Sequence, residues 1–323
     1  MKILVTGGSG FLGQRLIRTL IARSTLQYRG QPQAITRVTA LDSVRSPDEF
    51  RDERVHYVQV DLADHALTAS VLQPGVDSVF HLAAVVSGAA EADFDLGMHV
   101  NVDGTRALLD ACRAMPSPPT FVFASSVAVF GGALPEIIED STAPLPQSSY
   151  GVQKLIGELL VGDCSRRGYI DGRAVRLPTI VVRPGKPNAA ASSFASGIIR
   201  EPLAGVEAVC PVSADTDLWV MSPAGAVASL IHAHETTSAM WVAQRAVSLP
   251  GLTVSVREML DALRVVGGED AVRRVRFEAD ERIARIVRTW PARFNAAQAS
   301  ALGFAADHDI MSIIRAYAEE AAR

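Results

Sequence analysis

The sequence predicts an α/β fold, a doubly wound parallel sheet with a smaller C-terminal α+β lobe, and three observations carry that prediction. A short apolar run, Lys2–Val5, leads into Thr6-Gly7-Gly8-Ser9-Gly10-Phe11-Leu12-Gly13 and then into the helical spacing Leu12, Leu16, Ile17, Leu20, Ile21. Further β-rich runs alternate with helical patterns as far as Ala124, which implies parallel strands joined by right-handed crossovers. With 323 residues, 48% of them hydrophobic, the chain can bury a large core, as one big domain or one and a half.

Composition narrows the function classes. The net charge of −4 comes from interspersed residues with no basic run, so neither a nucleic acid nor a membrane surface is indicated and small-molecule work is expected. Three scattered cysteines, Cys112, Cys164 and Cys210, form neither a disulfide framework nor a zinc site and suit a reducing compartment. The N-terminus has one lysine and a short apolar run ending in glycines, so it reads as a first strand rather than a leader and places the protein in the cytoplasm. No run is long enough to span a membrane, and there is no internal repeat.

Taken in order, the first loop predicts a dinucleotide site of the Rossmann kind. Gly7 permits the tight turn, Gly10 lets a pyrophosphate approach the backbone, and Gly13 lets the helix pack on the strand. Gly7, Ser9, Gly10, Phe11, Leu12 and Gly13 are the expected phosphate-side set. The polar stretch Ser24–Gln33 lengthens the first crossover before the second strand, Arg37–Asp42. An acid at that strand end accepts from ribose hydroxyls and repels a 2′-phosphate, so Asp42 favours NAD over NADP, with Arg45 as the competing signal. The third strand, Val55–Val60, ends at Asp61-Leu62, where Asp61 serves either the adenine edge or the cap of the next helix. Ser78–Ala84 is a buried strand whose Leu82, Ala83 and Ala84 leave room for the dinucleotide, with His81 as a structural residue. Asn101–Thr105 opens a helix running through Cys112, and Thr120–Ala124 is the fifth strand.

Tyr150 and Lys154 are the expected chemical centre. An i,i+4 spacing on a helix brings phenol and ammonium to one face, about 5–6 Å apart at Cβ, and a fixed cation favours phenolate. Alone, the pair fits any amphipathic helix; the preceding glycine loop and the serine pair Ser125-Ser126 make it a candidate site.

These segments together, Thr6–Gly13, His81–Ala84, Asn101–Thr105, Phe123–Gly131 and Tyr150–Lys154, resemble in order the motifs of the extended short-chain dehydrogenase/reductases, which include nucleotide-sugar epimerases and dehydratases. The resemblance implies NAD as cofactor, Ser126 as catalytic serine, Tyr150 as the proton-transfer residue and Lys154 as the lysine on the nicotinamide ribose. It also implies a homodimer through the helices containing Asn101–Cys112 and Tyr150–Leu160. Asn101, Leu177 and Thr179 join the cofactor set on the same ground.

Arg173–Val182 reads as the next strand, followed by a run dense in Arg, Lys, Asn and Ser. Arg183 and Lys186 suit the carboxylate of a small polyhydroxy acid, although Arg183 equally suits pinning the loop to backbone. Ser87, Ser126, Tyr150, Arg183, Lys186, Ser192 and Arg200 are the expected substrate set. Where nucleotide-sugar epimerases carry a diphosphate-binding arginine, this chain has Leu218-Trp219-Val220, which argues for a smaller substrate. The second half is similar to an NAD-dependent branch that oxidises a four-carbon sugar acid, D-erythronate, at C2. The alternative is a nucleotide-sugar epimerase that keeps NAD bound. A dehydratase would need a carboxylate after the serine, and Val127 stands there; a non-catalytic NAD sensor would be expected to lack the tyrosine or the lysine.

Further on, strand Arg245–Leu249 precedes a helix whose Ser255-Val256-Arg257-Glu258 reads as a capping box. Strand Arg274–Phe277 and helices Glu281–Trp290 and Ile310–Ala321 complete the lobe. His232 and His234, two apart on a helix, are packing or surface residues rather than metal ligands. The expected boundaries are 1–184, with 223–250 returning, for the NAD domain and 185–222 plus 251–323 for the substrate lobe.

Overall fold

The computed structural model describes residues 1–46, 49–72, 75–185, 190–241 and 245–322. The chain forms two units: Met1–Ser126, Ser148–Arg176 and Val227–Val247 make the first, and Val127–Gln147, Leu177–Ala226 and Ser248–Arg323 the second.

The first unit holds a seven-stranded sheet in the order Ala246–Ser248, Asp171–Leu177, Thr120–Ser126, Ser78–His81, Lys2–Thr6, Arg37–Asp42, Val55–Gln59. Lys2–Thr6 pairs in parallel with both Arg37–Asp42 and Ser78–His81, and Ser78–His81 with Thr120–Ser126. Ile3, Leu4, Val5, Val79, Phe80, Phe121 and Val122 are all buried without polar alternation, as strands covered on both faces require. Helix Phe11–Arg23 buries Leu16, Ile17, Leu20 and Ile21. Strand order reverses on either side of Lys2–Thr6, so the glycine loop opens at the switch point where such sheets bind ligands.

Two details depart from expectation. The stretch 24–33 is no plain crossover: Thr25–Tyr28 and Gln31–Ala34 form an antiparallel hairpin. Arg29 and Gly30 both take positive φ (51° and 78°), the conformation that a two-residue turn between twisted strands demands. The run 173–182 is two strands. Asp171–Leu177 belongs to the large sheet, whereas Thr179–Ile180 pairs with Asp217–Met221 in the second unit, because Pro178 has no N–H to continue a ladder. The unit boundary therefore falls at Arg176 and not at 184, and 127–147 goes with the second unit, where Ile138–Glu139 pairs with Phe294–Asn295.

The second unit packs helices Ser193–Leu203, Val256–Arg273 and Ile310–Ala321 around Val181, Ile198, Val220, Met259, Leu263 and Ile314. Its capping box is present: Ser255 Oγ accepts the Glu258 N–H and Glu258 accepts the Ser255 N–H at 2.7 Å. Among the described residues no helix is long and apolar enough to cross a membrane.

Candidate active site

The glycine loop is set by close approach. Gly7 has φ +69°, and a Cβ there would lie 2.8 Å from the Ala83 backbone nitrogen; a Cβ on Gly13 would lie 2.1 Å from the Gly7 carbonyl oxygen. Helix Phe11–Arg23 starts at Gly10 with no side-chain cap and no acid in its first turn. Its leading N–H groups thus present positive ends suited to a pyrophosphate. Asp42 Oδ2 accepts the Ser9 N–H at 3.0 Å, which holds the carboxylate over the same loop. Arg45 is gripped by Glu49 through Nε at 2.8 Å and Nη2 at 2.5 Å, so its charge is answered locally. These residues fit a dinucleotide with unphosphorylated ribose.

Asp61 is not the helix cap. Asp64 accepts the Leu67 N–H ahead of helix His65–Leu72, while Asp61 accepts the Ala63 N–H and pairs with His99 Nε2 at 2.8 Å. That pair pulls the Asp61 carboxyl down and the His99 imidazole up from their ordinary ranges. Leu62 is buried against Gly104; Leu82, Ala83 and Ala84 are half-buried, with the Leu82 N–H donating to the Thr6 carbonyl.

A directed chain of hydrogen bonds supports this loop. The Ala83 N–H donates to Thr6 Oγ1, whose hydroxyl donates to His81 Nδ1 at 2.6 Å. At the other ring nitrogen, Thr105 Oγ1 is already donating to the Asn101 carbonyl, so it accepts from His81 Nε2–H at 2.9 Å. The histidine is thereby fixed as the neutral Nε2–H tautomer, and burial first, then the Lys154 cation, push its pKa down to about 3. Asn101, in a π-helical turn Met98–Asp103, spends its amide on the Val85 N–H, the Val85 carbonyl and Gln153 Oε1. It ties the loop after Ser78–His81 to the tyrosine helix.

That helix, Ser149–Arg166, is capped by Ser148 accepting the Gly151 N–H. Tyr150 is half-buried in its first turn and Lys154 is buried one turn on. Lys154 Nζ donates to the Ala124 carbonyl at 2.9 Å and lies 4.9 Å from the Phe123 ring centroid and 5.7 Å from that of Tyr150. Burial pushes the ammonium pKa down to about 8, against the pull of the Glu158 carboxylate. The serines divide as strand alternation requires. Ser125 is buried and donates to Glu158 Oε1 at 2.5 Å; Ser126, the last residue of its strand, is half-buried. Ser87 is half-buried at the start of helix Ser87–Ala92.

The remaining candidates lie in the second unit. Leu177 is buried and Thr179 pairs with Val220. Arg183 donates its N–H to Ser196 Oγ at 3.0 Å and its guanidinium to Ser192 Oγ at 3.3 Å. Arg200 is committed to the Arg183 carbonyl and to Glu201, so it is Arg200 that pins this loop. Lys186 lies outside the described residues. Among those described, no group of three metal-ligating side chains comes together.

The model of the NAD dependent epimerase/dehydratase family matches residues 3–251. The chain belongs to that family. It is 56% identical over 321 residues to a D-erythronate dehydrogenase of Cupriavidus necator and 45% identical over 319 to one of Haemophilus influenzae, each alignment covering 99% of both chains. The crystal structure of a nucleoside-diphosphate-sugar epimerase from Agrobacterium tumefaciens superposes with a TM-score of 0.92 at 42% identity, covering 99% of this chain and 94% of that one. The two dehydrogenases match past residue 251 into the C-terminal helices, where the family model stops.

Two residues of this family member escaped sequence reasoning. Glu158 and Arg176 form a buried ion pair beside Ser125 and Lys154. The i,i+4 stripe Tyr150, Lys154, Glu158 was there to be followed one turn further; the arginine, on a separate strand, had no local signal.

Proposed function

We propose that this chain is an NAD-dependent dehydrogenase oxidising D-erythronate at C2 to 2-dehydro-D-erythronate. The observation that carries the chemistry is Lys154, buried and hydrogen-bonded to the Ala124 carbonyl beneath the Tyr150 ring. A cation so placed stabilises phenolate. Tyr150 Oη, as phenolate, takes the proton of the C2 hydroxyl and becomes neutral phenol, Ser126 orients that hydroxyl, and Lys154 stabilises the phenolate before the transfer. NAD, when bound, supplies the hydride acceptor; Gly7, Ser9, Gly10, Phe11, Leu12 and Gly13 hold its pyrophosphate and Asp42 its ribose hydroxyls. Arg183 is assigned the substrate carboxylate, with Ser192 orienting its guanidinium.

The substrate rests on the two whole-length relatives and on a local departure. Leu218 and Trp219 are buried, and the indole donates to the Leu249 carbonyl and stacks on Phe294 at 5.1 Å. A packed indole stands where an epimerase would need a diphosphate arginine. The name of the Agrobacterium relative keeps a second reading in play, a nucleotide-sugar epimerase without net NADH release. Enzyme incubated with NAD is expected to generate NADH absorbance with D-erythronate, less with NADP, and none with a nucleotide sugar. Epimerised sugar with no NADH from D-erythronate reverses the assignment.

We further propose a homodimer through the helix pair around Tyr150. Val152 and Leu159, seven apart on the tyrosine helix, are exposed, as are Phe94 (60%) and Leu96 on the neighbouring short helix. Leu159 is 66% exposed, a large apolar side chain left in water unless covered. Light scattering is expected to give twice the 34.4 kDa chain mass, and Leu159→Arg to halve it. A wild-type monomer at micromolar concentration rules the dimer out.

A further inference from the structure

One turn beyond Lys154 on the same helix begins a buried ion pair. The Glu158 side chain is 3% exposed and that of Arg176, on strand Asp171–Leu177, 11%. The guanidinium grips both carboxylate oxygens, Nε at 2.9 Å from Oε1 and Nη2 at 2.7 Å from Oε2, and Ser125 Oγ donates to Oε1. Burying two charges costs more than burying an apolar pair of the same volume, so stability is a poor reason for its presence. Its location is more telling. Of three consecutive residues at one strand end, two are engaged by different partners, Ala124 by Lys154 and Ser125 by Glu158, and the third, Ser126, is the proposed catalytic serine.

We propose that Glu158, clamped by Arg176 and Ser125, is a positioning residue whose carboxylate keeps Lys154 charged while the clamp holds the serine-bearing strand end against the tyrosine helix. This rests on the reading of Tyr150 and Lys154 as the proton-transfer pair. Lys154 is faced by Tyr150 and Glu158 from its own helix, by His81 from strand Ser78–His81, and by Arg176 beyond Glu158. The strand Thr120–Ser126 offers Ala124 and Phe123, and the buried face of helix Gly104–Arg113 carries no charged side chain. His81 is held neutral, so Glu158 is the anion that answers the ammonium. Removing its charge leaves Lys154 and Arg176 as two buried cations, and the lysine gives up its proton at lower pH. Removing the arginine charge instead leaves the carboxylate unshared, and the lysine keeps its proton to higher pH.

Opposite shifts are the signature, since a packing role would move neither titration or both alike. The chain has only three lysines, Lys2, Lys154 and Lys186, so protein labelled with carbon-13 at lysine Cε gives a resolvable titration, assigned by Lys154→Arg. Wild type is expected to titrate near 8. Glu158→Gln is expected to lower that value by about one pH unit and Arg176→Gln to raise it by about as much. Glu158→Gln/Arg176→Met, which removes the pair together and leaves Lys154 as the one buried charge of the three, is expected between wild type and Glu158→Gln. The alkaline limb of the pH–rate profile is expected to follow the lysine in each variant. Single variants that shift together or not at all, a double variant matching wild type, or a rate limb that ignores the lysine overturns the proposal. Tyr150→Phe, run alongside, separates the two claims. Wild-type turnover there removes the tyrosine assignment, whereas an inactive Tyr150→Phe with unmoved lysine titrations removes only the role of Glu158.

Discussion

Replacing Tyr150 by Phe is expected to lower kcat by roughly 10²–10⁴-fold, the range of a positioned proton transfer, while NAD affinity stays within a factor of about two. The substitution deletes one oxygen. The ring keeps its place 5.7 Å from Lys154 Nζ, the Ser148 cap is untouched, and the glycine loop with Asp42 is unaltered. Binding and turnover therefore separate in this variant. Steady-state rates with D-erythronate, together with NAD titration by protein fluorescence, measure both. Equal loss of affinity and rate would mean that Tyr150 chiefly builds the cofactor site, and unchanged kcat would remove it from the chemistry.

Acid is expected to unfold the protein early, through two histidines. His81 and His234 are both buried, and burial pushes each pKa down to about 3, with cations at Lys154 and Arg173 respectively adding to the effect. His234 stacks at 5.5 Å from Phe80 and shares a 2.6 Å hydrogen bond with Ser78 Oγ. In the unfolded chain each titrates near its ordinary value of about 6.5. Between those values the unfolded state binds protons that the folded state refuses. The stabilisation is therefore complete above about pH 6.5 and is lost as pH falls towards 3. Each histidine contributes a slope of roughly 1.4 kcal/mol per pH unit there, the pair roughly 2.7. His99, held up by Asp61, acts in the opposite sense, but the two side chains are 51% and 53% exposed and solvent screens them. Carboxylates held low by arginines, such as Asp52, add their effect nearer pH 4 and below. Urea unfolding at stepped pH from 7 to 4.5 gives the slope directly, and His234→Gln is expected to remove about half of it. An unchanged slope in that variant would show that His234 takes up its proton without unfolding.

Much of the candidate site was legible in the sequence. Gly7, Gly10 and Gly13 at their spacing, Asp42 at a strand end and Tyr150 one turn from Lys154 are all statements about residues a few positions apart. Helix periodicity and loop sterics translate such spacings into geometry with little help from the rest of the chain. The capping box at Ser255 was legible for the same reason. Hairpin 25–34 was missed because its strands are short and mostly polar, with Thr25 as the one β-branched residue, so its clearest mark was the Arg29-Gly30 turn.

Other features belong to the sheet order. Alternation says that Ser125 and Ser126 face opposite ways, yet only the Glu158 carboxylate, 33 positions on, decides that Ser125 is the one turned inward. The ion pair of Glu158 with Arg176 spans 18 positions and the Asn101–Gln153 bond spans 52; each exists because neighbouring elements of the sheet and its covering helices bring distant residues together. Arg200 looked like a substrate ligand by composition, but tertiary packing commits it to Arg183 and Glu201. The sequence by itself determined the fold class and singled out the glycine loop and the Tyr150–Lys154 pair as candidates, since these depend on short-range spacing. Tertiary structure alone decided which polar groups are already spent on one another, because a buried hydrogen bond or ion pair is settled by proximity in space.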